Sequence, residues 1–388
     1  MNNVSRITLA MFTVAAWVAI PTFGLAQNGK KEMNQESVLL KEWIGPYGGV
    51  PPWRQVNPDE FIGAFDEAIK LAKVEIEKIA NNPIPPTFEN TVVALERVGE
   101  SLDRVQTIFG VHASNLNVGS IPDIETAVGP KLSKFSDSTT QNEKLFKRIE
   151  AVFNDQPLNN YSVAEKRLIK DRYESFVRQG AKLDAKQKAR LSEINAQLAG
   201  LFAKFSQAVL NDEGSYVTFI NDKAKLTGLP QSTIDAMASA AQEADGDNKG
   251  KWAITNTRSS MEPFLTYAED RALREQVWRR YYARGDNGGE FDTNETITAI
   301  LKLRAERAIL LGYKTHAHWR LEPQMAKTPE QAMDLMMKVW PKAVARVKEE
   351  VADMQKVADD AGAGITIEPW DYRFYAEKVR KAKYDLDF

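Results

Sequence analysis

Cysteine is missing from this sequence of 388 residues. Its absence excludes disulfides, thiolate metal sites, cysteine nucleophiles and lipid attachment through an N-terminal cysteine. It does not fix a compartment, because large helical proteins fold in oxidising spaces without disulfides. Histidine is scarce too, with three residues: His112, His316 and His318. No run of five or six like charges occurs, which excludes acidic and basic tails. The 51 basic and 53 acidic side chains leave a formal net charge of −2, and no local basic excess marks a nucleic-acid surface. What is present fits a folded protein, with 43% apolar and 27% charged residues. Such a chain suffices for two or three ordinary domains or one large helical one.

One long apolar run exists, at the N-terminus. Arg6 gives a short positive start, and Ile7 to Ile20 holds only two threonines among apolar residues. Pro21 breaks the run, and Gly24-Leu25-Ala26 supplies the small residues of a cleavage site. A spanning helix needs about 20 apolar residues. The pattern therefore predicts a signal peptide over 1–26, cut after Ala26, and a periplasmic or secreted protein with no membrane association after cleavage.

A polar stretch and a Gly/Pro-rich patch, Gly45 to Pro52, predict an extended arm over 27–57, ordered or docked. Helix-start chemistry follows. Asn57-Pro58-Asp59-Glu60 and Thr328-Pro329-Glu330-Gln331 each place a cap, then a proline at the first helical position. Ser162 with Glu165 and Asp184 with Gln187 stand at capping-box spacing. Leu191, Ile194, Leu198, Leu201, Phe202, Phe205 and Val209 paint one apolar stripe. Ala332, Leu335, Met336, Val339, Ala343, Val347, Val351, Met354 and Ala358 paint another. The spacing predicts helices over 58–81, 87–115, 121–154, 162–181, 184–211, 230–245, 262–284, 291–311, 315–321, 329–361 and 370–384. Tyr216–Ile220 and Lys251–Thr255 are the strand-like stretches and could pair as a small insert. The fold class is therefore all-α, or mostly α, with one small β insert. A boundary near 212 separates an N-terminal helical domain, 58–211, from a second domain, 212–388.

Chemistry is hard to find. His112 has no acidic neighbour at ligand spacing and reads as structural. His316 and His318 lie two apart, which on a helix turns them about 200° from each other and prevents joint metal binding. They read as exposed or capping imidazoles on a polar helix. A helical zinc site of the His-Glu-x-x-His kind is absent, since His112, His316 and His318 are followed by Ala113, Ala317 and Trp319. There is no Gly-x-Ser-x-Gly elbow and no phosphate-cradling glycine loop. Paired acids such as Glu349-Glu350 and Asp359-Asp360 read as solvated faces. The eight tryptophans and seventeen phenylalanines read first as core. Gly285-Asp286-Asn287-Gly288-Gly289 reads as a flexible turn between helices. No catalytic, cofactor-binding or metal residue is assigned.

Several segments together resemble the thimet oligopeptidase group of zinc metallopeptidases, nearest to its bacterial peptidyl-dipeptidase and oligopeptidase A branch. They are Tyr47-Gly48-Gly49-Val50-Pro51-Pro52, Asn82-Pro83 with Pro86-Thr87-Phe88-Glu89-Asn90-Thr91, and Arg271-Ala272-Leu273-Arg274-Glu275. In order after them come Leu310-Leu311-Gly312-Tyr313, Gln324-Met325-Ala326-Lys327-Thr328-Pro329, and Glu368-Pro369-Trp370-Asp371 leading into Tyr375-Ala376-Glu377-Lys378-Val379-Arg380. The resemblance runs from about residue 40 to the end. It implies a clam-shell of helices around a deep channel, short peptide substrates, one zinc ion, no nucleic-acid partner and a monomer at full length. It also implies that 212–388 is the start of the peptidase domain and that the zinc motif lies beyond Phe388, so that none of its ligands falls here. The helix at the C-terminus ends without a glycine cap, so truncation before that motif is expected. The rival readings are a non-catalytic helical peptide-binding or interaction protein, and a generic helical scaffold. On the first reading, helices 291–311 and 329–361 pack against the absent half and leave apolar surface exposed.

Overall fold

The computed structural model describes residues 37–155, 161–244 and 246–384. The signal peptide read at 1–26 and the polar stretch after it lie outside the described residues. The chain is built of helices in succession: α1 (Phe61–Ala80), α2 (Glu100–Asn115), α3 (Ile121–Thr140), α4 (Glu143–Asn154), α5 (Val163–Arg178) and the long α6 (Ala185–Ser215). There follow β1 (Val217–Ile220), α7 (Gln231–Glu243), β2 (Trp252–Thr255), α8 (Arg258–Tyr267) and α9 (Arg271–Tyr282). The last are α10 (Asn294–Leu310), the short α11 (His316–Leu321), α12 (Pro329–Asp360) and α13 (Tyr372–Tyr384). The mostly-α expectation holds. The two strands pair antiparallel, Val217 opposite Thr255 and Ile220 opposite Trp252.

The capping pairs seen in the sequence act as read. Ser162 with Glu165 and Asp184 with Gln187 form reciprocal capping boxes, and Thr328 accepts from the Gln331 amide at the start of α12. Three predicted helices nevertheless divide, because a cap lies inside an apolar-periodic stretch. The one over 87–115 opens as a π-helical turn, Phe88–Val93, and breaks at Gly99. Gly99 sits at φ 86°, where a Cβ is unfavourable, and its amide donates to Glu75 Oε2 at 2.8 Å. The one over 121–154 breaks at Asn142, whose side chain accepts from the Leu145 amide at 3.0 Å. The one over 262–284 breaks before Asp270, which caps Leu273 at 3.0 Å. In the other direction, the helix expected to stop at 211 continues to Ser215. The arm Gly45–Pro52 is ordered, with Ile44 bridged to Val50 and a 3-10 turn over Pro46–Gly48.

Burial follows the stripes. Phe61, Phe65 and Ala68 of α1 meet Leu102, Val105 and Ile108 of α2 and Ile121, Ile124 and Val128 of α3. A second cluster joins the β insert to α7, α8 and α9 through Ile220, Ile254, Met237, Met261, Phe264 and Val277. On α6 the stripe is buried at Leu191, Ile194 and Leu198, where Ile194 and Leu198 meet Ile300 of α10, and then emerges toward solvent at Phe202. On α12 the divergence is larger. Met354 and Ala358 pack against Phe374 and Tyr375 of α13. Leu335 is 66% exposed, Val339 60% and Trp340 64%. The principal packing of α12 is on α13, with a lesser contact to α11 at its beginning. The first two-thirds of its stripe faces solvent, as the packing expectation for 329–361 requires, and Trp340 is not core.

Candidate functional site

A concave surface lies where α6, α8, α9, α12 and α13 converge. One cavity, of about 640 Å³, is lined by Leu265 of α8, Trp278 and Tyr282 of α9, Val351 of α12, the segment Ile367–Pro369, and Tyr372 and Arg373 of α13. A second, of about 580 Å³, is lined by Phe205 and Val209 of α6, Arg258, Met261 and Glu262 of α8, Tyr281, Tyr282, Arg284 and Arg373. Tyr282 and Arg373 border both, so the two form one groove. Its α6 wall is the half-buried later part of the Leu191–Val209 stripe, where Phe205 also packs against the Ile194–Leu198–Ile300 cluster.

The lining is aromatic with charged points. Trp278 stacks on Tyr282 at 4.9 Å between ring centres, and Tyr281 meets Tyr282 edge-on at 5.3 Å. Glu262 holds the wall between the cavities: its Oε1 accepts from Arg258 Nε at 2.9 Å and from Arg373 Nη2 at 2.7 Å. Arg284 pairs with Glu213 and covers the face of Tyr281. Tyr372 donates to Glu350 Oε2 at 3.1 Å, and burial, then that carboxylate, push its phenol above the ordinary value of 10.0. It therefore stays a neutral donor across physiological pH. Rings, guanidinium forks and a phenol suit an extended chain of mixed polarity. They do not provide a nucleophile with an adjacent base.

Beneath the groove lies an ionic latch that the sequence did not reveal. Asp371 is fully buried and accepts from Arg271 Nη2 and Arg274 Nη2, both at 2.8 Å, and from the Glu368 amide at 3.2 Å. Arg274 is itself buried, donates to the Ala268 carbonyl at 2.8 Å and lies over the Phe374 ring at 4.1 Å. The two sequence words Arg271–Glu275 and Glu368–Asp371 are thus a single contact, tying the α12–α13 hairpin to α9. A second buried acid, Asp212 on α6, accepts from Arg280 Nη2 at 2.9 Å and from the Gly285 amide and Asn287 Nδ2 at 2.8 Å each. It corrects the reading of the 285–289 glycine stretch as simply flexible, because the first part is pinned. Gly285 sits at φ 77°, and a Cβ there would approach Thr293 Oγ1 to 3.0 Å.

The histidines stand apart in their surroundings. His112 packs beside Trp53 and edge-on to Phe61, with ring centres 6.4 and 5.6 Å away. His318 Nδ1 is bonded to Thr315 Oγ1 at 2.8 Å, a capping imidazole as expected. His316 differs from the expectation: it is half-buried against Trp319 rather than exposed, and its Nδ1 has no hydrogen-bond partner. Among the described residues no group of three or more His, Asp or Glu side chains is gathered as a metal site. The donors present do not fit the zinc ion that the resemblance implies.

Comparison with known proteins shows what the chain is similar to. Residues 264–388 match the profile of peptidase family M3. That stretch contains the latch and most of the groove. The chain is 34% identical over 337 residues to the dipeptidyl carboxypeptidase of Escherichia coli (strain K12), covering 87% of this chain and 49% of that protein. The chain is similar to the M3 peptidases over residues 264–388. It is also 32% identical over 349 residues to the dipeptidyl carboxypeptidase of Salmonella typhimurium, covering 90% of this chain and 51% of that one. With oligopeptidase A of Haemophilus influenzae the identity is 29% over 343 residues, 87% of this chain and 50% of that protein. The chain spans about half the length of the curated relatives it matches. The residues carrying structure here are Asp371, Arg271 and Arg274, within the matched stretch, and Asp212, before it. Asp371, Arg271 and Arg274 lay in recognised words without a visible partner, since their contacts cross roughly a hundred positions. Asp212 had no signal beyond an acid near a helix end.

Proposed function

We propose that this chain is the N-terminal, helical part of an exported zinc metallopeptidase acting on short peptides, as a peptidyl-dipeptidase or oligopeptidase. In this role it supplies channel wall, and the catalytic centre comes from elsewhere in the protein. The observation that carries the reading is collinear similarity to dipeptidyl carboxypeptidases along 87–90% of this chain but about half of theirs. The groove supports it, because stacked rings bordered by Arg373 and Glu262 suit an unfolded peptide. The solvent-facing stripe of α12 supports it too, since an apolar helix face of that length belongs against another body. A zinc ion held by the remaining part would polarise the peptide carbonyl and activate water; the residues described here would bind and orient the chain being cut. Export rests on the apolar leader at 7–20, and no helix among the described residues is long and apolar enough to cross a membrane.

Titration calorimetry with an uncharged, end-capped pentapeptide rich in leucine and phenylalanine tests the groove. Tyr282→Ala, which removes the ring shared by both cavities, should weaken binding about threefold to tenfold, the range of one lost aromatic contact. Unchanged affinity would place peptide recognition elsewhere.

A further inference from the structure

Away from the groove, α10 and α11 bring together positive charge that no described acid pairs with directly and that Asp137 offsets only at Arg307. Arg304 and Arg307 stand one turn apart on α10, and His316 and Arg320 one turn apart on α11. Trp319 lies among them, its ring 4.7 Å from the Arg307 guanidinium carbon and 5.4 Å from the His316 ring centre. The Arg304 guanidinium sits 5.1 Å from the Phe202 ring centre.

The acids nearby are engaged elsewhere. Glu306 pairs with Arg190 at 2.7 Å and Glu322 with Arg178 at 2.8 Å. Asp137 accepts from Asn195 at 2.7 Å, and the amide oxygen of Asn195 takes one hydrogen bond from Arg307 at 3.1 Å. Glu330 stands 3.8 Å from His318. Among the described residues no carboxylate comes within ion-pairing reach of Arg304, Arg307 or Arg320. The buried Nε of Arg304, Nε of Arg307 and Nδ1 of His316 have no hydrogen-bond partner. Burial, then Arg304, Arg307 and Arg320, hold the His316 imidazole below its ordinary value of 6.5. Three clustered guanidiniums with free donors, offset only by Asp137 acting on Arg307 from beyond ion-pairing distance, are an arrangement that an anion completes. Beside Arg307 and Trp319 a cavity of about 270 Å³ opens, with Phe202, Gln179 and Ser136 on its walls and Asp137, bonded to Asn195, as its one acid.

We propose that the Arg304–Arg307–Arg320 face is a carboxylate-binding site, filled by an acidic side chain or the C-terminal carboxylate of a bound peptide. The guanidinium forks match a carboxylate geometrically, and Phe202 and Trp319 flank them with apolar surface for the stem that carries it. The proposal deepens the peptide-binding reading above and rests on it.

Calorimetry on the whole chain at low salt tests it with three short peptides: one end-capped with a central glutamate, its glutamine isostere, and the isostere with a free C-terminus. A carboxylate gaining charge-assisted bonds should bind about tenfold tighter than the isostere. Preference for the first peptide identifies the side chain as the source, and preference for the third identifies the terminus. Arg320→Gln, at an exposed position, should remove most of that preference while leaving the capped glutamine peptide's affinity unchanged; Arg304→Gln should act in the same direction. Equal affinities for all three peptides, or a preference indifferent to both substitutions, would overturn the site and spare the groove. If no peptide binds at all, both fail together.

Discussion

Asp371→Ala should cost about 3–5 kcal/mol of stability, the penalty for leaving a buried partner charge uncompensated. The Asp371 side chain is fully enclosed, and that of Arg274 is 2% exposed, so neither charge can turn to water when the other is removed. Arg271 is partly exposed and loses less. Asp371→Asn keeps the shape and should fall between wild type and alanine. The affected contact joins α9 to the α12–α13 hairpin, so protease sensitivity should rise first in that hairpin. The latch also sets an acid limit. Burial pushes the Asp371 carboxyl up, but the bonds from Arg271 and Arg274 outweigh it and hold the group below its ordinary 3.8. A depressed carboxyl binds its proton more readily when unfolded, so its stabilising contribution is complete above about 3.8 and declines as pH falls through the lower folded value. Urea unfolding across pH 2.5–7 measures both effects. An alanine variant within about 1 kcal/mol of wild type would show that the latch is not holding the hairpin.

The second large effect concerns α12. Leu335→Glu combined with Trp340→Gln should change the stability of this chain by no more than about 0.5 kcal/mol, because both positions are exposed. The same pair should lower binding of an apolar dye severalfold and reduce self-association. If the chain is the front part of a longer peptidase, as proposed, the expected loss of binding to the remaining part is much greater. Two large apolar side chains, each contributing about 1.5–3 kcal/mol when fully buried, would be withdrawn from the contact. Co-purification of the two halves, with and without the substitutions, reads this directly. Equal recovery would mean that the α12 face is not the seam.

Much of this architecture could be read from the residues because helix caps and apolar stripes are local. Ser162–Glu165, Asp184–Gln187 and Thr328–Gln331 act where they stand, and the β insert follows from two short β-rich runs. Internal caps were harder. Asn142 and Asp270 interrupt stretches whose apolar spacing carries straight across them, so periodicity alone fuses helices that a single side chain separates. Long-range polar contacts were not legible at all. Nothing in one sequence pairs Asp371 with Arg271 and Arg274, or Asp212 with Gly285, and the groove exists only once α6, α9 and α13 meet. The α12 stripe shows a different limit: periodicity identifies an apolar face, and the neighbour that covers it has to come from other information.

Metal-dependent turnover is the most direct test. The chain should show no zinc-stimulated, chelator-sensitive hydrolysis of short peptides, and Arg320→Gln or Tyr282→Ala should leave that baseline unchanged. Chelator-sensitive cleavage by purified chain, abolished by replacing His316 and His318, would contradict the assignment of channel wall without a catalytic centre.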